Sequence, residues 1–93
     1  MNDKLSQKII IESLAMDLKR VALGLHRGSF NMANRFREEA FQRAAELENL
    51  NPNNYLKKLL LYMKKMITGT SERVAEDALM LSTLFQNFAI KNI

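Results

Sequence analysis

In the stretch IESLAMDLKRVALGLHRG, residues 11–28, the apolar residues Ile11, Leu14, Leu18, Val21 and Leu25 recur at alternating steps of three and four. That spacing keeps them on one face of a helix, whereas a strand would alternate every second residue. Gly28 stands where a residue of left-handed conformation can close the last turn. Reading back toward the N-terminus, the same seam predicts a first helix over about 3–27.

Working outward, the remaining chain is divided by NPNN at 51–54 and TGTS at 68–71. Ser29 or Asn31 is suited to cap a second helix over 30–48. Its inner stripe is Ala33, Phe36, Ala40, Ala44 and Leu47, and Arg35, Glu39 and Arg43 stand four apart as expected ion pairs. Asn51 as cap and Pro52 in the first helical position predict a third helix over 52–68, closed by Gly69. Leu56, Leu59, Leu60, Met63, Met66 and Ile67 form its apolar arc. Thr70 or Ser71 opens a fourth helix over 71–91, with Glu72, Glu76 and Asp77 near the positive end of its dipole. Val74, Ala78, Leu81, Phe85 and Phe88 make its seam. No segment reads as a strand. Four amphipathic helices joined by short links predict an all-α, four-helix up-and-down antiparallel bundle forming a single domain over 1–93.

Composition narrows the functional classes. At 93 residues and 47% apolar content, with three glycines and one proline, the chain is too apolar to stay disordered and small enough to be marginally stable alone. The sequence has no cysteine, which excludes disulfides and thiolate metal sites. Uninterrupted apolar runs such as LLLYM are far short of the roughly 20 residues a membrane span needs. IIIESLAM near the N-terminus, interrupted by Glu12, lacks a secretory cleavage pattern. The expected setting is cytoplasmic, away from the membrane.

Catalytic constellations are not found. The one histidine, His26, lies at a helix end, where positive charge is favourable. Arg20 and His26 stand in an R-x5-H spacing that resembles the motif of the HEPN ribonuclease families. Those families carry it toward the end of the bundle, whereas here it closes the first helix, and no catalytic role is carried over. Glu38, Glu39, Glu46 and Glu48 crowd the second helix without the E-x-x-H pairs of a di-iron bundle, so a solvated, salt-bridged face is expected. No Gly-rich phosphate loop is present, and no serine lies in a nucleophile motif. Neither metal, cofactor nor small-molecule substrate is expected, and the chain reads as no enzyme.

Two surfaces remain. The first helix carries a second apolar line, Leu5, Ile9, Met16 and Leu23, opposite its seam, with Glu12, Lys19 and His26 in a polar column between the two. Phe30 and Phe41, eleven residues apart, share an azimuth on the second helix, and Leu79 and Ile90 do so on the fourth. Surplus apolar lines on so small a domain predict protein–protein contact, as a homodimer or with another protein. The expected interface residues are Leu5, Ile9, Met16, Leu23, Phe30 and Phe41. The alternative surface is the third helix. Residues 49–71 hold four lysines and no acid, equal to the net charge of +4 of the whole chain. At 100° per residue Lys58, Lys64 and Lys65 fall about 100°, −20° and 80° from Lys57, so all four share one face. Leu61 stands in its middle, and Tyr55 and Tyr62 flank it. Such a stripe suits a nucleic-acid-binding accessory protein, with Lys57, Lys58, Lys64, Lys65 and Tyr62 as the polyanion site. A solvated helix face suits it better, since four lysines are few and no arginine accompanies them.

Overall fold

The computed structural model describes residues 3–92, and side chains over 4–91. Four helices follow one another: α1, Asp3–His26; α2, Phe30–Glu48; α3, Asn54–Met66; and α4, Glu72–Asn92. Close backbone approaches link α1 to α2, α1 to α4, α3 to α4 and α2 to α3, and none joins α1 to α3 or α2 to α4 among the described residues. That is a four-cornered up-and-down bundle with α3 diagonally across the core from α1. The radius of gyration is 12.6 Å, close to the roughly 12 Å of a compact chain this long.

The seam foreseen for α1 is the centre of the core. Ile11, Leu14, Leu18 and Val21 are fully buried, together with Leu47 of α2, Leu56, Leu60, Met63 and Ile67 around α3, and Leu81 and Phe85 of α4. Two packing distances coexist. The three helices that approach most closely, α1, α2 and α4, bury a set of alanines: Ala15 and Ala22 on α1, Ala33, Ala40 and Ala44 on α2, Ala75, Ala78 and Ala89 on α4. Short side chains let those backbones draw together. Leucines and methionine hold α3 further out.

The α1–α2 corner is closed by the hydrogen bonds a left-handed Gly28 permits. Its φ is 70°, and the amides of Gly28 and Ser29 donate to the carbonyls of Leu25 (3.2 Å) and Gly24 (2.8 Å). This is the paired 5→2 and 6→1 pattern of a Schellman stop. Ser29 caps α2 through its backbone, accepting from the Ala33 amide at 3.1 Å, and its side chain makes no capping bond.

The start and end of α3 differ from the expected 52–68. Its cap is Asn53, not Asn51. The Asn53 side chain accepts from the Leu56 amide at 2.9 Å, while Asn51 takes a left-handed φ of 56° ahead of the buried Pro52. In a run of three asparagines around a proline, each asparagine is an acceptable cap. The register is set by burying Leu56 and Leu59 together, which places the cap three residues before Leu56. At the other end the helix stops at Met66, because Ile67 turns to ψ 62° and buries its side chain.

Candidate interaction surfaces

The outer line of α1 stands open. Leu5, Ile9, Met16 and Leu23 are each between 40% and 52% exposed. The line adjoins α4 across a groove of about 290 Å³ whose floor and walls include Ala15, Ser82, Met16 and Ile90, with Glu12, Lys19 and Gln86 at its edges. Ile90, 71% exposed, is the barest large apolar side chain described, and Leu79 is exposed on the same helix. Ser82 fixes the groove floor: its buried hydroxyl donates to the Ala15 carbonyl at 2.7 Å, locking α4 to α1 at this height. Phe30 is exposed at the first turn of α2. Phe41 is half-buried and packs against the core. The azimuth shared by Phe30 and Phe41 therefore does not give α2 an open stripe like that of α1.

The lysine face of α3 is partly spoken for. Lys64 reaches across to α2 and pairs with Glu48. Lys57, Lys58 and Lys65 make no ion pair among the described residues, and the acids of α4 do not come to them. Leu61 and Tyr62 are 59% and 58% exposed, and with Lys58 and Lys65 they line a shallow depression. Tyr55 is not free to stack on a base in the same way: its ring stacks on Phe88 of α4, centroids 5.8 Å apart and planes at 17°.

One cluster was not foreseen. Asp17, beside the α1 seam, is 1% exposed, and Arg43 of α2 donates to it from Nε at 2.7 Å. Arg20 approaches to 3.7 Å. Burial lifts the Asp17 carboxyl above its usual value of 3.8, against the hydrogen bond and charge of Arg43, with Glu39 adding to the rise and Arg20 opposing it. Arg43 therefore leaves the expected ladder on α2, of which only Arg35–Glu39 forms, at 4.0 Å. Phe36 lies under two guanidinium groups, with Arg20 5.2 Å and Arg35 5.6 Å from its ring centre, a favourable stacking of cation on π-face. Arg20 is thus committed to Asp17 and Phe36, while His26 is exposed at the end of α1. The sequence signal for this cluster was faint: at 100° per residue Asp17 lies about 60° from Leu14 and 100° from Leu18, at the margin of the apolar seam, where a charge can as easily face water.

Among the described residues no group of three or more His, Asp or Glu side chains is placed to hold a metal ion. No helix is long and apolar enough to cross a membrane. Set against protein-family models, curated proteins and solved structures, the chain matches none.

Proposed function

We propose that this chain is a non-enzymatic bundle protein that acts through protein–protein contact, as a homodimer joined across the outer face of α1 and the adjoining edge of α4. The observation that carries the reading is the exposed line Leu5, Ile9, Met16 and Leu23, continued over the groove by Ile90. A helix of a monomeric bundle needs one apolar face, and α1 already buries its own against the rest of the core. Leaving a second line in water forgoes about 25 cal/mol for each Å² of apolar surface that a partner would cover. A cysteine-free sequence suits a reducing compartment, the cytoplasm. Light scattering after size exclusion tests the reading. The wild type is expected at twice its 10.7 kDa chain mass, and Met16→Glu with Leu23→Glu at the chain mass with unchanged helicity. A double variant that keeps the parent's mass would remove α1 from the interface.

A second reading has its own observation: Lys57, Lys58 and Lys65 have no ion-pair partner among the described residues and stand around an exposed Tyr62 and Leu61. This supports contact with nucleic acid through α3, a surface separate from the first.

A further inference from the structure

The outer line of α1 is not only apolar. Together with the two charged residues that border the groove, it reads Leu5, Ile9, Glu12, Met16, Lys19, Leu23, at steps of four and three. These six residues keep to one face over nearly the whole helix. About Met16 the order is nearly symmetric in position: Ile9 and Leu23 stand seven residues to either side, and Glu12 and Lys19, of opposite charge, stand four before and three after, while Leu5 has no apolar counterpart. Glu12 and Lys19 have no ion-pair partner within the chain among the described residues.

From this order we infer that the occupant of the face is a second copy of the chain, with α1 running antiparallel to the partner's α1 about a twofold axis close to Met16. The inference rests on the dimer reading above and fixes its geometry. In a parallel pairing Glu12 would face the partner's Glu12, and Lys19 would face the partner's Lys19, which places like charges together twice. The antiparallel pairing brings Glu12 within reach of the partner's Lys19 and repeats that contact by symmetry. Ile9 then lies against the partner's Leu23, and the two Met16 side chains meet near the axis, where an unbranched thioether adapts to its own image. The exposed Ile90 of α4 flanks the pair and widens the apolar patch. The bundle measures 39 × 20 × 19 Å, so its long side offers a face of the size that a stable interface covers, about 800 Å² per partner.

Charge reversal reads the geometry directly. Glu12→Lys and Lys19→Glu each convert two attractive contacts into two repulsive ones. Each should raise the dimer dissociation constant at least about 10-fold, equivalent to about 1.4 kcal/mol. The double reversal restores opposite charges and should return the constant to within about 3-fold of wild type. Such non-additivity is the signature of groups in contact. Singles without effect, or a double as weak as the singles, would overturn the antiparallel arrangement. Cysteine placement gives a second reading in a chain with no native cysteine. Met16→Cys should cross-link the dimer by oxidation. Ile9→Cys alone should not, because antiparallel pairing separates the two copies of residue 9 by roughly 15–25 Å at 1.5 Å per residue. Efficient cross-linking through Ile9→Cys would establish a parallel pair instead. If the wild type is itself a monomer, the dimer reading fails. If it is a dimer dispersed by Met16→Glu with Leu23→Glu yet indifferent to charge reversal, the interface stands and only the antiparallel geometry fails.

Discussion

At the scale of single residues, Asp17 is the costly choice in this sequence. A carboxylate almost wholly withdrawn from water is retained only while its partners hold it, and Arg43 is the nearer partner at 2.7 Å. The pair is lopsided, since Arg43 keeps contact with solvent and Asp17 does not. Removing the two partners should therefore have unequal effects. Arg43→Ala should cost about 3 kcal/mol at neutral pH, the low end for a broken buried pair, because Arg20 stays near. Asp17→Asn should cost little, because the amide oxygen still accepts from Arg43. The pH dependence has a definite sign. The folded state holds the Asp17 proton more tightly than the unfolded chain does, since burial raises its pKa above 3.8. This contribution to stability is complete below the unfolded value and is lost as pH rises through the raised one. Urea unfolding of wild type and Asp17→Asn between pH 3 and 7 should show Asp17→Asn gaining on the wild type as pH rises through that window. A constant gap would mean Asp17 titrates alike in both states. The opposite slope would mean that Arg43 outweighs burial.

At the scale of the elements, the joint between α1 and α2 is set by a residue without a side chain. A Cβ on Gly24 would lie 2.8 Å from the Ala33 amide nitrogen and 3.1 Å from both the Ala33 Cα and the Ser29 carbonyl oxygen. These are backbone atoms, so the start of α2 would have to move. Gly24→Ala should therefore destabilise by about 1–3 kcal/mol, although alanine is favoured over glycine inside a helix by about 1 kcal/mol. Urea unfolding separates these outcomes, and a variant more stable than wild type would show that the two helices do not approach so closely. The apolar seams, the Gly28 stop and the outer line of α1 were legible in the sequence because each follows from helical period or turn chemistry acting locally. The close approach at Gly24 was not, because a glycine in an otherwise helical run says nothing about which backbone lies beside it. The α3 cap was obscured by three asparagines of equal aptitude, and tertiary burial of Leu56 chose among them. The Asp17–Arg43 pair was not in view, since Asp17 stands at the margin of the α1 seam and only the packing of α2 against it decides that it is buried. Of the two candidate surfaces, the lysine face was readable as an azimuth, while the loss of Lys64 to Glu48 and of Tyr55 to Phe88 depends on which helices become neighbours.

At the scale of the whole molecule, the two surfaces lie on different sides. The outer line belongs to α1, and α3 stands diagonally across the core, with no close backbone approach between them. A dimer formed through α1 would leave α3 of each copy facing outward, so the lysine face is available in either oligomeric state and can be tested independently. Binding by Lys57, Lys58 and Lys65 would come from displaced counterions. For single-stranded nucleic acid the logarithm of the binding constant should then fall against the logarithm of salt concentration with a slope of about −2. Fluorescence anisotropy with labelled RNA and DNA fragments, run from low to high salt, measures that slope. Lys58→Glu with Lys65→Glu reverses the two charges that line the Tyr62 depression and should abolish binding while leaving the mass in solution unchanged. A chain that ignores nucleic acid even at low salt makes the lysines a solvated face that balances the apolar side. Binding of the expected slope that vanishes in the double variant assigns α3 a second partner, held on the side that the dimer leaves free.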